Sequence, residues 1–470
     1  MSRRISWKFF PGALASLLLA SAPPLAAQDF DAAAVAAKRL LAELVAADTS
    51  NPPGNEARAV AIGAGWLDAA EIPYRRSRFG EGRENLVARL AGDGSARPLL
   101  LLAHIDVVGA DAAAWSTSPH QLVEEDGYLQ ARGVADDLGM AAVELVVMRL
   151  LAEQGIPLRR DVILAWTGDE ESGGAGVRWI LENEPESIDA EVVINEGGGI
   201  RLDEQGEPRR IEVQTAEKIY QDFRLVARGP TGHSSVPLPD NPIYRLARAL
   251  TRVDAHRFPI RVLPTARANL EARAALESGE RGGAMRALAR GDDTLAAAAL
   301  LDADPQLAAS LRTTCVATLL SAGTRVNALP GRASANLNCR ILPDSSPKAV
   351  HATLIEIIDD ADVEVEGLPE FGFGVPSPLS GPGPDAIREV AEAMWPGIPV
   401  IPFMSRGATD SRFLRARGIA AYGISPIAVA EDEASRAHGV DERIPAASLR
   451  PAVEFLYRMV VRIAGEGSSP

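Results

Sequence analysis

Three short apolar runs constrain this chain most, because each ends in groups that are costly to bury uncompensated. Leu99-Leu-Leu-Leu-Ala103 closes on His104 and Asp106, Asp161 to Thr167 runs into Gly168-Asp-Glu-Glu171, and Val192-Val-Ile-Asn195 closes on Glu196. Runs of this length rich in Leu, Val and Ile read as strands buried on both faces. Helical patterns lie between them, from about Gly139 to Gln154 and from about Ala175 to Glu184. Such alternation implies βαβ units in an α/β fold: a mostly parallel sheet flanked by helices, with functional groups at the strand carboxyl ends.

After Ile211 the pattern changes. Alternating runs at Tyr220 to Ala227, Thr313 to Leu320 and Ala333 to Ile341 indicate a separate antiparallel sheet. Residues 268–311, rich in Ala, Arg and Glu with Gly breaks, read as helices decorating that second unit. A helix near Ala386 and apolar runs at Val400 to Phe403 and Ala420 to Ile424 restore the first pattern. With 470 residues the chain has room for two units. The expected organisation is a catalytic unit over residues 28–213 and 372–470, interrupted by an inserted α+β unit over 214–371.

Arg3, Arg4 and Lys8 precede an apolar run from Phe9 to Ala22, and small residues close the segment at Ala27. Residues 1–27 therefore read as a cleaved signal peptide, and Pro11 shortens the run below the ~20 residues of a membrane span. The expected location is periplasmic or secreted, with no membrane attachment after processing. A net charge of -15 argues against nucleic acid as a partner. The two cysteines, Cys315 and Cys339, are too few for a thiolate zinc site, so any metal must be held by His, Asp and Glu. They lie on strands either side of a turn centred near residue 327, a placement that predicts a disulfide in an exported chain.

His104 and Asp106, two apart at a strand end, leave from one face, where a carboxylate can hold the imidazole in one tautomer for a metal. A solvated strand end reads equally well for this pair alone. Asp136 and Asp137 precede a helix and could simply cap it. Three consecutive carboxylates, Asp169 to Glu171, at the end of a buried strand are costly without a cation or a proton. Glu196 repeats the design, and His438 in Ser435-Arg-Ala-His-Gly439 completes a set of two imidazoles and several acids. Such donors suit zinc, with a carboxylate able to bridge two ions.

In order and wording these motifs resemble the dinuclear zinc family of glutamate carboxypeptidase, carboxypeptidase S, acetylornithine deacetylase, succinyl-diaminopimelate desuccinylase and aminoacylase, over nearly the whole mature chain. The resemblance implies two Zn²⁺ per subunit. It makes His104, Glu171, Glu196 and His438 ligands, Asp136 the bridge, Asp106 the partner orienting His104, and Glu170 the general base. Leu138 departs from the pattern, since the family often has Lys there. Gly229-Pro-Thr-Gly-His233-Ser-Ser resembles the segment whose His reaches the active site, often from the partner subunit of a dimer formed through the inserted lid or dimerisation unit. Asn327 and Arg340 resemble residues that hold a substrate carboxylate, and Gly407-Ala-Thr409-Asp-Ser-Arg412 resembles a glycine-rich substrate loop. From the residues alone, Arg340 is also readable as a cross-strand surface charge, His233 as a turn residue and the loop as a plain turn. The expected activity is hydrolysis of the peptide or amide bond of small carboxylate-bearing substrates, of carboxypeptidase or dipeptidase type. The same residues serve an N-acyl-amino-acid deacylase. An inactive periplasmic binding protein would be expected to lack the base or a ligand, and all are present.

Overall fold

The computed structural model describes residues 29–292, 294–368 and 374–465, so the leader at 1–27 lies outside the described residues. After two helices and a two-residue strand the chain forms strands β1 (Tyr74–Gly80), β2 (Arg83–Leu90), β3 (Leu99–His104), β4 (Val162–Thr167), β5 (Val192–Leu202) and β6 (Pro208–Glu217). It continues through β7 (Ile219–Arg228), β8 (Thr314–Ala322), β9 (Arg332–Ile341) and β10 (Val363–Gly367), and ends with β11 (Val400–Ser405) and β12 (Ala420–Ala430).

The larger sheet has eight strands in the order β11-β6-β12-β5-β3-β4-β2-β1. Its centre, β4-β3-β5-β12, is parallel. β1 and β2 are antiparallel to each other, β2 is antiparallel to β4, and β6 is antiparallel to β5 and β12. The sheet is therefore mixed, and the expected parallel character is confined to the centre and the β6–β11 pair. A turn at residues 203–207 joins β5 to β6, far too short for the crossover that a parallel neighbour requires.

Every residue of β3 and β4 is buried. Leu99, Leu101 and Ala103 pack under the helices Phe30–Ala46, Leu138–Gln154 and Leu449–Ala464, whereas Leu100 and Leu102 pack under Ala175–Asn183. Helices on both faces explain why these strands carry unbroken apolar runs rather than alternation.

The chain leaves the large sheet after Glu217 and enters the second sheet at Ile219, so Lys218 alone spans the step. Its buried ammonium donates to the carbonyls of Ala309 and Arg312 and to the Thr314 hydroxyl. The second sheet, β8-β9-β7-β10, is antiparallel, with the helices Pro242–Ala255 and Pro347–Ile358 over one face. The helices between residues 264 and 310 do not decorate this sheet as expected. They close around their own core of Leu270, Met285, Leu288 and Leu307. The first of them lies on β11, where Asn269 donates to the Pro402 carbonyl at 3.0 Å. β11 is the edge of the large sheet, and an edge strand gains from cover.

Cys315 and Cys339 face each other across β8 and β9 and are bonded, as the symmetry about the turn predicts. Thiol titration of unfolded, unreduced protein should find no free cysteine. The Cys315→Ser/Cys339→Ser variant should lose about 3.5 kcal/mol in urea unfolding, the chain-entropy value for a loop of this length.

Candidate metal centre

The carboxyl ends of β3, β4 and β5 converge on one cluster. His104 closes β3, and its Nδ1 lies 2.9 Å from the Asp106 carbonyl, which can only accept. Nδ1 therefore carries the proton, and Nε2 faces Asp136 Oδ1 at 2.9 Å. The other Asp136 oxygen lies 3.1 Å from Nε2 of His438, which also stands 3.0 Å from Glu171. One carboxylate thus sits between two imidazoles, the arrangement a bridging ligand needs. Donor atoms of His104, Asp136 and Glu171 all lie within 4.8 Å of one another. Glu171 keeps one buried oxygen without a hydrogen-bond partner, a group that calls for a cation or water. Glu196 joins Asp136 in lining a cavity of about 170 Å³.

The electrostatics agree with the geometry. Burial and the charges of Glu170 and Asp136 push Glu196 well above the usual carboxylate range. Burial, with Asp410 and Asp136, does the same to Glu170 although His104 opposes it. His438 is raised to about 10 by its hydrogen bonds to Asp136 and Glu171. The field that holds a proton there acts equally on a divalent cation. Imidazole nitrogen and carboxylate oxygen in this density fit a pair of zinc-like ions.

A supporting layer that the sequence reading missed aims these donors. Asp106 does not orient His104 through its carboxylate, which stands 3.7 Å from Nδ1; its carbonyl does that work. The carboxylate instead accepts from the amides of Glu170 and Glu171 and from Asn51 Nδ2 at 2.8 Å. Asn51 also reaches Asp169, which has φ of 70° and is gripped by Arg83 at 2.9 Å. On the opposite side, buried Glu442 accepts from the amides of Gly133, Ala135 and Asp136 and pairs with Arg132 at 2.6 Å. Arg132 in turn donates to the carbonyls of His438 and Gly439. Nothing in the local sequence of Asn51, Arg83, Arg132 or Glu442 marks these roles. The departure at Leu138 has a counterpart too. Asp137 and Glu144 are fully buried, and neither carboxyl has a hydrogen-bond partner among the described residues. Burial raises both above the usual carboxylate range.

The residues expected to hold substrate fall in two places. His233 and Asn327 are brought together by a short ladder, with the Ser234 amide donating to the Asn327 carbonyl, but both are exposed. His233 Nδ1 contacts Ser235 Oγ at 2.7 Å, and no polar contact links its ring to the metal cluster among the described residues. Arg340 is half-buried, stacked 4.5 Å over Tyr220, and donates to the Arg406 carbonyl at 2.9 Å beside Gly407. Thr409 faces inward, contrary to the expected substrate role. Its amide and hydroxyl both bond buried Glu217, which also pairs with Arg415 at 3.1 Å, so Thr409 anchors the loop.

Residues 100–462 match the profile of Peptidase family M20/M25/M40. The chain belongs to that family. The M20 chain is thus a metallopeptidase or amidohydrolase acting on small substrates, in keeping with the resemblance read from its motifs. It is 27% identical over 391 residues to the human N-fatty-acyl-amino acid synthase/hydrolase PM20D1, covering 78% of this chain and 74% of that protein. It is 26% identical to the succinyl-diaminopimelate desuccinylase of Magnetococcus marinus, covering 84% and 90%. Its fold matches the M20 family metallo-carboxypeptidase Sso-CP2 of Sulfolobus solfataricus with a TM-score of 0.70 at 20% identity, over 90% of this chain and 98% of that one. In this M20 chain, Asn51→Leu should weaken metal binding about 10- to 100-fold, because the ligands' supporting bonds are lost. Chelator competition measures that change, and an unaltered circular dichroism spectrum separates it from unfolding.

Proposed function

We propose that this chain is an exported two-zinc amidohydrolase that cleaves N-acyl amino acids. The observation that carries the reading is the Asp136 carboxylate set between His104 and His438, with the half-buried acid Glu170 beside it. His104, Glu171, Glu196 and His438 would hold the ions, with Asp136 shared. Bound zinc supplies a Lewis acid for the amide carbonyl and brings the acidity of water close to neutral pH. Glu170 accepts a proton from the attacking water at its carboxylate and returns it to the leaving nitrogen.

Arg340 and Asn327 would hold the free carboxylate of the amino-acid part through charge-assisted hydrogen bonds. His233 would donate to the developing oxyanion, either when the four-stranded sheet closes on the large one or from a second copy of the chain. The edge strand β8 exposes Val316, Leu319 and Leu320, a surface that favours a homodimer. Similarity to N-fatty-acyl-amino acid hydrolases supports the N-acyl class. A C-terminal peptide bond presents the same amide and carboxylate to Arg340, so carboxypeptidase or dipeptidase action is the second reading. The leader of residues 1–27 supports a periplasmic or secreted location.

Glu170→Ala should retain its metal while turnover falls about 10²- to 10⁴-fold, since it removes the proton carrier and no ligand. Exhaustive chelation should abolish activity and Zn²⁺ should restore it. A substrate panel should show kcat/KM for N-acyl amino acids above that for dipeptides of equal length; the reverse order establishes the peptidase reading. Mixing His233→Ala with Glu170→Ala protein should recover activity only where His233 acts across a dimer.

A further inference from the structure

Four arginine side chains are almost wholly buried among the described residues. Three have an acid at hand: Arg132 pairs with Glu442 at 2.6 Å, Arg160 with Glu191 at 2.7 Å and Arg415 with Glu217 at 3.1 Å. The fourth, Arg412, is 8% exposed and has no ion pair or side-chain hydrogen bond among the described residues, and its Nε is buried without a partner. Its Cζ lies 4.5 Å from the Phe413 ring, a contact that brings no negative charge. A guanidinium cannot shed its charge by losing a proton, so its burial carries a cost that nothing in the chain offsets.

The position of Arg412 says what could offset it. The residue lies in the short helix Ser411–Arg415 that follows the glycine-rich loop. Asn195, next to Glu196, donates to the Ser411 hydroxyl at 2.9 Å and so pins that helix at the metal cluster. Asp410, the nearest acid in sequence, instead accepts from the Thr167 hydroxyl at 2.8 Å. Burial raises Glu170 and Asp410, and the charge of Arg412 opposes it in both. Burial pushes Arg340 down, and Arg412 adds to that effect. Arg412 therefore stands within electrostatic reach of the candidate base on one side and of Arg340, from β9 of the second sheet, on the other. Two guanidinium groups brought this near, one of them buried and unpaired, leave a place for an anion.

We propose that Arg412 is the buried half of the receptor for the substrate's amino-acid carboxylate. A carboxylate can take two parallel N–H bonds from one guanidinium and still accept from another. Arg412 would hold it from the large sheet while Arg340 holds it from the second. The buried group carries the greater selectivity, because a ligand without negative charge leaves its desolvation cost in place, whereas half-buried Arg340 is served by water. This inference rests on the amidohydrolase reading above and adds a specificity-determining residue to it.

The test measures equilibrium binding of N-hexanoyl-L-leucine and of its uncharged carboxamide to zinc-loaded Glu170→Ala protein, which holds either ligand without turnover. The carboxylate should bind about tenfold or more tighter, the scale of a charge-assisted hydrogen bond. Adding Arg412→Met should remove most of that preference and leave the carboxamide affinity almost unchanged. A damaged site would weaken both ligands alike, so the ratio separates recognition from structure. Where Arg412→Met fails to fold, Arg412→Lys decides, since it keeps the charge without the planar fork and should lower the preference several-fold. A carboxylate preference unmoved in the variant that folds overturns this inference, and continued hydrolysis of N-hexanoyl-L-leucine by the wild-type enzyme leaves the amidohydrolase reading intact. Failure of the zinc-loaded wild-type enzyme to bind or hydrolyse N-hexanoyl-L-leucine overturns both.

Discussion

Carboxylates crowded at the ends of buried strands repel one another, and the surrounding structure is organised to hold them in spite of it. Asp136, Glu170, Glu171 and Glu196 come from three different loops or strands, with His104 and His438 set among them. Each loop is fixed by amides directed at a second, deeper carboxylate. Asp106 collects the amides of Glu170 and Glu171, and Glu442 collects those of Gly133, Ala135 and Asp136. Preorganisation of this kind places the repulsion where a divalent cation can relieve it. Buried Arg132 pairs with Glu442, and half-buried Arg83 pairs with Glu56 and Asp169 beside the ligand loop.

The same logic reaches the substrate side. Glu217, the last residue of β6, bonds both the amide and the hydroxyl of Thr409 and pairs with Arg415. The loop at 405–410 is therefore attached to the large sheet at the point where the chain departs for the second one. The next residue, Lys218, is pushed down to about 7 by burial, with Arg340 and Arg406 adding to the effect. The step between the sheets, the substrate loop and the proposed carboxylate receptor thus share one set of contacts. Movement of the second sheet relative to the first would be felt at the loop.

Part of the site could be read in the sequence because His104, Glu170, Glu171 and Glu196 lie at or just after the ends of buried apolar runs. An unbroken run such as Leu99–Ala103 has one stable environment, a strand covered on both faces, so the acids and histidines after it must gather at the sheet's carboxyl edge. The cysteine pairing was legible for a similar reason, since antiparallel strands about one turn fix which positions face each other. By contrast Asn51, Arg83, Arg132 and Glu442 carry no local pattern; they matter through bonds across the fold, such as the contact between Arg132 and residues 438–442. Thr409 misled because a hydroxyl in a glycine-rich loop looks available until a buried Glu217 is found against it.

The amino-acid order by itself pointed to the helix-flanked sheet, the antiparallel second sheet and a gathering of imidazoles and carboxylates near strand ends. Each of these depends on periodicity or on short-range grouping of residue types. Tertiary structure alone decided where β6 enters the large sheet, which edge the helices of residues 264–310 cover, and that exposed His233 bonds Ser235 rather than any metal donor among the described residues. It also decided that five arginines, three from residues 201–210 with Arg273 and Arg406, line one cavity. Those outcomes follow from which exposed edges and unpaired charges find partners once the chain is compact, and short-range sequence patterns do not encode that competition.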